Sequence, residues 1–250
     1  MKTVVITGGA TGIGLAIAEH FLSNKWQVMI TSRNAERLAK AKEDLGDKYG
    51  AELIDFCQAD VANEEEVNAL QKKTSERFGA VDAVVNNAGI VIWGHVHEMA
   101  AADWDSIFNT NVKGTFLVSK VFLPEMMEVR HGAIVNISSV SGLCGDYGMT
   151  AYNASKAAVI NMTRSMAMGY GKYGVRVNCV APGPTNTSMF PQEFKEVFSQ
   201  NSPLGHIVEP EEIAKAVFFM ATDASSAITG ETIPVTAGFE ISTGQPRMID

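Results

Sequence analysis

Thr7-Gly8-Gly9-Ala10-Thr11-Gly12-Ile13-Gly14 follows a short apolar run, Val4-Val5-Ile6, and leads into an amphipathic segment at 15–23. Small residues let a backbone come close to a pyrophosphate. The helix that follows presents free N–H groups and a partial positive charge to it. The spacing is G-x-x-x-G-x-G, not the common G-x-G-x-x-G. It also lacks the Lys-Ser/Thr that ends a P-loop, because Leu15 and Ala16 follow Gly14. A plain tight turn would look the same in isolation, but the place between strand and helix favours a nucleotide.

The same alternation continues downstream. Val- and Ile-rich runs at 27–30, 53–57, 81–86, 133–137 and 175–180 read as strands, with a last one at 232–235. Between them lie helical patterns at 35–48, 64–78, 104–127, 154–170 and 211–221. Strand and helix alternating in this way predict βαβ crossovers and a mostly parallel sheet covered on both faces. Gly46, Gly50 and Gly79 fall where glycine C-caps are common. No repeat, low-complexity tract or Pro/Ser-rich linker interrupts the 250 residues, so one doubly wound α/β domain, 1–250, is the economical reading.

Composition narrows the function classes. A net charge of −8 opposes non-specific nucleic-acid binding, which needs cations to neutralise phosphates. No apolar run reaches the roughly 18 residues of a membrane span, and the first residues lack a signal peptide's apolar stretch. Cys57, Cys144 and Cys179 are far apart, forming neither a C-x-x-C pair nor a metal-ligand cluster. His20, His95, His97, His131 and His206 show no metal spacing either. A cytoplasmic protein that binds neither nucleic acid nor membrane is expected, with incidental thiols.

The second strand ends Ile30-Thr31-Ser32-Arg33-Asn34. An NAD-selective site places an acid here for the ribose 2′-hydroxyl, whereas an NADP site avoids it and offers a cation. Ser32 and Arg33 suit the 2′-phosphate, and the missing acid is the stronger half of that argument; Arg33 on plain solvent is the alternative. Farther along, Ser139 stands just past the fifth strand, and Tyr152 and Lys156 open a long helix. A separation of 156 − 152 = 4 puts the last two on one helix face. A phenol near pKa 10 is a poor acid or base at neutral pH. A nearby ammonium is expected to lower it, while Ser139 holds the substrate oxygen. Tyr-x-x-x-Lys alone is more often an ordinary surface pair, and no G-x-S-x-G suggests a serine hydrolase.

Taken together these residues resemble the short-chain dehydrogenase/reductase family over nearly the whole chain. The resemblance rests on Thr7-Gly8-x-x-x-Gly12-Ile13-Gly14, Asp60, Asn86-Asn87-Ala88-Gly89, Asn111, Ser139, Tyr152-x-x-x-Lys156 and Pro182-Gly183, in that order. It implies a Rossmann-like doubly wound sheet of order 3-2-1-4-5-6-7. It also implies an oxidoreductase acting on CH–OH groups, which moves a hydride between a nicotinamide and a ketone or secondary alcohol, with NADP(H) preferred over NAD(H). Carried over by residue, Gly8, Thr11, Gly12, Ile13, Gly14, Ser32 and Arg33 would hold the phosphates. Asp60 with Val61 would face the adenine, and Asn87, Ala88 and Gly89 its ribose. Pro182, Gly183, Thr185 and Thr187 would hold the carboxamide. Asn111 would sit at a helix kink in a proton relay with Ser139, Tyr152 and Lys156, and Lys156 would also bind the nicotinamide ribose. Thr236-Ala237-Gly238 departs from the family's frequent Asp-Gly-Gly, and a tail follows it. The family also implies a homotetramer.

The family's substrate end varies. Here Trp93, Leu143, Tyr147, Met189 and Phe190 are expected to line a mainly apolar site for a small carbonyl or alcohol, with a lid around 185–202. Phe190, Phe194 and Phe198, spaced by four, read equally well as the buried face of a short helix. Reductases of carrier-bound 3-oxoacyl groups are an alternative. Arg130 matches one of their basic positions, whereas Tyr173, beside Lys172, stands where a second Arg is expected. A non-catalytic NADP(H)-binding sensor is another alternative, which the intact Ser/Tyr/Lys set opposes.

Overall fold

Val4, Val5 and Ile6 have no exposed surface in β1 (Thr3–Thr7). A strand apolar on both sides belongs in the middle of a parallel sheet with helices on each face. A computed structural model of the chain, describing residues 1–241, shows this arrangement; the tail from residue 242 lies outside the described residues. β1 pairs in parallel with β2 (Gln27–Ser32) and β4 (Ala83–Asn86). β3 (Ile54–Gln58), β5 (Gly132–Ile137), β6 (Val175–Pro182) and β7 (Thr232–Val235) complete a seven-stranded sheet. Its order, β3-β2-β1-β4-β5-β6-β7, is the expected one. Successive strands run to one edge and then to the other, and the change of direction between β1 and β4 opens a crevice at the strands' carboxyl ends.

Two cores hold the layers. Val4 and Ile6 meet Ile17 and Phe21 of α1 (Gly12–Ser23), Leu38 of α2 (Ala35–Tyr49) and Val217 of α8 (Pro210–Ala221). Val5, on the opposite face, belongs with Leu70 of α3 (Glu64–Phe78) and Phe122 and Met126 of α5 (Gly114–Glu128). The helices are punctuated by their own sequence. Asn34 accepts the Arg37 N–H at 2.8 Å, and Asn63 accepts those of Glu65 and Glu66 at 3.0 and 3.3 Å. Gly50 and Gly79 end α2 and α3 at φ 114° and 77°, a region that favours glycine. Gly46 is not a cap: it is buried within α2, close against Ala51.

Several boundaries differ from the sequence pattern for identifiable reasons. β4 begins at Ala83, not 81; just before it, the Asp82 carboxylate accepts the Thr3 N–H at 2.7 Å. The helix expected at 104–127 is two, α4 (Ala101–Phe108) and α5, joined by a π-helical turn at Asn109–Lys113. A hydrophobic period cannot register one residue inserted into a continuous helix. α6 (Thr150–Tyr170) starts a turn earlier than expected. The segment 185–202 holds a 3-10 turn at Gln192–Phe194 and then α7 (Lys195–Asn201). Only Phe198 of the three spaced phenylalanines lies in α7; it meets Phe190 edge to face at 5.6 Å and Phe239 at 5.4 Å, while Phe194 is half-exposed. Ala237, where the family favours glycine, has φ 55°. No described helix is long and apolar enough to cross a membrane.

Candidate active site

The glycine turn is fastened from both sides. Gly8 N–H donates to Thr31 of β2 at 2.7 Å. On the β4 side, the Thr7 hydroxyl accepts the N–H groups of Asn87 and Ala88, each at 2.9 Å, and the Asn87 amide donates to the Thr7 carbonyl at 2.9 Å. A Cβ on Gly14 would come 2.6 Å from the Asn87 amide nitrogen and collide with the Gly8 carbonyl, so no side chain fits there. α1 therefore starts immediately against the turn. Its N-cap, Thr11, makes no side-chain cap bond, and its first turn holds no acid, which leaves N–H donors for an anion.

A cleft of about 300 Å³ extends from this turn, lined by Gly8, Thr11, Ser32, Arg33, Asp60, Val61, Ala88 and Gly89 among the expected residues. The Asp60 carboxylate accepts the Ala62 N–H at 2.9 Å. Arg37, four positions after Arg33, also lines the cleft, so two exposed guanidinium groups stand beyond β2. The sequence reading missed Arg37; its signal is the first turn of α2, one helical turn from Arg33. Met189, expected at the substrate end, lines this nucleotide-side cleft as well. Thr187 faces Gly12, its Cγ2 3.5 Å from where a Cβ would stand, and the buried Thr185 donates to the Gly183 carbonyl at 2.8 Å. Pro182 ends β6, and Ile13 packs partly buried against the core. A hollow of about 330 Å³ opens at the opposite edge of the sheet beside Gly132 and Val175. Its Arg176 is spent on the carbonyls of Met220 and Thr222, and none of the chemistry-bearing residues lines it.

Next to Gly89 and Ile90, which line this cleft, the four expected reactive residues converge. Ser139 leaves β5 and caps a 3-10 turn, accepting the Ser141 N–H at 3.1 Å. That turn is pinned to α6: a Cβ on Gly142 would lie 2.7 Å from the Lys156 carbonyl carbon, and the Ser138 hydroxyl donates to the Lys156 carbonyl oxygen at 2.8 Å. Tyr152 and Lys156 share a face of α6, with Nζ 5.6 Å from the phenol ring centre. Lys156 is 4% exposed and donates to the Ile137 carbonyl at 2.9 Å. Asn111, in the π turn, accepts the Ile90 N–H at 2.8 Å and donates to the Ile90 carbonyl and the Ser155 hydroxyl, each at 3.0 Å. Gly89 fits between them: a Cβ there would be 3.3 Å from Asn111 Oδ1 and 3.4 Å from Lys156 Nζ.

The electrostatics correct one expectation. Burial raises the Tyr152 pKa, the Ser139 hydroxyl beside it works the other way, and the Asp146 charge raises it further. The net shift of Tyr152 is therefore upward, and burial pushes Lys156 down to about 8. The chain alone thus holds Tyr152 as a protonated phenol, an acid rather than a base.

Of the expected substrate residues, Trp93, Leu143 and Tyr147 are exposed at 66%, 43% and 97%. Phe190 is half-buried against Phe198. Trp93 and Tyr147 lie on loops joined by the Gly94 N–H donating to the Gly148 carbonyl at 2.8 Å.

Residues 8–240 match a family model described as enoyl-(acyl carrier protein) reductase. The chain is 38% identical over 251 residues to meso-2,3-butanediol dehydrogenase of Serratia marcescens, covering 99% of this chain and 98% of that protein. It is also 38% identical to 3-oxoacyl-acyl-carrier-protein reductase of Chlamydia muridarum over 240 residues, 95% and 96% of the two chains. The solved structure of ElxO with NADP bound superposes with a TM-score of 0.91 at 36% identity, over 96% of this chain and 99% of that one.

Proposed function

The chain belongs to the short-chain dehydrogenase/reductase family, and from that premise we propose that it is an oxidoreductase moving a hydride between NADP(H) and a ketone or secondary alcohol. The observation that carries this reading is the convergence of Ser139, Tyr152, Lys156 and Asn111 beside Gly89 and Ile90, two residues that line the cleft opening from the glycine turn. The residues fit the dinucleotide. N–H groups at the start of α1 would receive the pyrophosphate, and no side chain at Gly14 obstructs them. Arg33 and Arg37, with no acid ending β2, favour a 2′-phosphate over a bare hydroxyl. When bound, the nicotinamide supplies or accepts the hydride.

The chain's own residues handle the proton. Ser139 orients the substrate oxygen by a hydrogen bond, and Tyr152, held protonated by burial, gives its proton to that oxygen in reduction. Lys156 would stabilise the phenolate that this leaves and would hold the nicotinamide ribose. Asn111 holds the π turn, where a water bound at the kink would relay the proton between Lys156 and solvent. The substrate is a small carbonyl compound; two of the relatives act on butanediol and on 3-oxoacyl groups. Carrier-protein docking has little support here, since Arg130 donates to the Lys172 carbonyl at 2.9 Å and Tyr173 replaces the second cation. A homotetramer in the cytoplasm completes the reading.

Tyr152→Phe tests it. Turnover of a ketone panel with NADPH should fall about 10²–10⁴-fold, while NADPH binding by fluorescence and the melting temperature stay unchanged. Near-normal turnover in that variant would overturn the mechanism. Wild-type protein that binds NADPH and reduces nothing would favour the sensor.

A further inference from the structure

The segment 185–202 follows β6, and its backbone is fastened where it begins. The Asn186 N–H donates to the Val208 carbonyl at 2.8 Å, and the Val208 N–H donates to the Pro184 carbonyl at 2.9 Å. Thr185 and Val208 form a parallel bridge. Beyond that point the fastening stops. Between 187 and 202 every backbone hydrogen bond outside α7 joins residues no more than three apart. Yet this stretch carries two residues that reach the nucleotide side. Thr187 faces Gly12, its Cγ2 3.5 Å from where a Cβ would stand, and Met189 lines the cleft itself.

Side chains supply what the backbone lacks, and they meet at one carboxylate. The Asn186 amide donates to both carboxylate oxygens of Glu209, at 3.0 and 2.9 Å. Lys195 Nζ, at the start of α7, lies 4.0 Å from Glu209 Oε1. Gln192 closes the ring by donating to Asn186 Oδ1 at 3.4 Å. Among the described residues, no other polar side-chain contact ties 186–202 to a residue outside it. Glu209 itself stands on firm ground. Its N–H donates to Glu212 Oε2 at 2.9 Å, Pro210 opens α8, and Ile213, Ala214 and Val217 of that helix have no exposed surface. Hydrogen bonds to an ionised acceptor are roughly twice as strong as neutral ones, so the Asn186 contact carries the tie. Lys195, part-exposed and at the limit of pairing distance, adds little to it.

We propose that Glu209 is a positioning residue for the nucleotide: its carboxylate holds Asn186, and with it the Thr187–Met189 stretch, against the cleft, and so slows NADP(H) dissociation. This rests on the oxidoreductase reading above and adds a residue, outside the cleft, that sets how long the dinucleotide stays.

The test compares wild type, Asn186→Asp, Glu209→Gln and the double variant Asn186→Asp/Glu209→Gln. Asn186→Asp sets two carboxylates against each other. The double variant restores the pair with donor and acceptor exchanged. NADPH dissociation is followed by its fluorescence in stopped flow, with excess NADP as the trap. The rate should rise about threefold to tenfold in Asn186→Asp, rise less in Glu209→Gln, which keeps one acceptor, and return toward wild type in the double variant. Recovery by exchange is not expected of a residue that merely caps α8. A second reading needs no nucleotide. Lys195 is the only Lys or Arg between Arg176 and Lys215, so trypsin cleavage after it reports on this segment by the size of two fragments. Cleavage of the free protein should be faster in Asn186→Asp and slow again in the double variant. If Asn186→Asp fails to fold, Asn186→Ala, which removes the donor without adding charge, decides by the same two readings. Unchanged dissociation and cleavage in the single variants, or no recovery in the double variant, would overturn the proposal. Wild type that fails to bind NADPH would overturn the oxidoreductase reading, whereas the trypsin pattern of the free protein still decides whether Glu209 holds the segment.

Discussion

Arg33 and Arg37 project from the end of β2 and the first turn of α2, and both are exposed. A hydrogen bond to a charged group is worth roughly 1.5–3 kcal/mol, and exposure to solvent places these two at the lower end. Arg33→Ala should therefore lower the ratio of kcat/KM for NADPH over NADH by about tenfold, and the double variant with Arg37→Ala should lower it further. An unchanged ratio would show that neither residue reads the phosphate. Lys156 gives a pH dependence of definite sign. Its pKa of about 8 means that the ammonium is present below that pH and lost above it. Charge-assisted hydrogen bonds are roughly twice as strong as neutral ones. The NADPH dissociation constant should thus rise several-fold as pH increases through about 8, a limb that Lys156→Ala removes. A flat wild-type curve would exclude the ribose contact. The four-residue spacing of Tyr152 and Lys156 was legible in the sequence, but only the family resemblance singled it out from an ordinary surface pair. The direction of the Tyr152 shift was not, because it comes from burial and from Asp146, contributions that only the folded chain brings together.

The π turn at Asn109–Lys113 shows how one element serves two purposes. The extra residue lets Asn111 reach the Ile90 N–H and carbonyl on one side and the Ser155 hydroxyl on the other, so that α5, the β4 loop and α6 are joined at one buried amide. Asn111→Ala would leave the N–H of Ile90 without its partner inside the protein. A loss of about 1–3 kcal/mol of unfolding free energy is expected in urea titration, together with reduced turnover; full activity and unchanged stability would remove Asn111 from the site. The hydrophobic pattern of 104–127 told of a helix and of its buried face, but a local change of pitch has no compositional mark. The position of Asn111 was found only through the family resemblance. Arg37 escaped for a related reason: among the exposed charges of α2, nothing in the pattern distinguishes the one that turns toward the cleft.

At the scale of the whole molecule the alternation of apolar strands and helices foretold a parallel sheet covered on both faces, while its strand order came only from the family resemblance. The glycine turn then set which edge bears the cleft. What the pattern could not supply was pairing that depends on single side chains, such as the Asp82 carboxylate accepting the Thr3 N–H. Several apolar side chains remain uncovered on the helices α4–α6: Trp104 at 39%, Phe116 at 50% and Met168 at 87% exposure, with Trp104 stacked on Phe108. Surfaces of this kind mark association, and four chains per particle are expected in light scattering at micromolar concentration. Phe116→Asp should reduce that number, and a monodisperse wild-type monomer would contradict it. The Thr7 hydroxyl carries a further implication. It accepts two N–H groups from beyond β4 and donates to the Val85 carbonyl, so all its bonding capacity is used before any ligand arrives. The dinucleotide turn is thus set during folding, and its ordering entropy is not charged again at each encounter. Conformational work during nucleotide exchange then falls to the opposite lip, where Thr187 and Met189 lie against the cleft, so residence time and grip are governed by different parts of the chain.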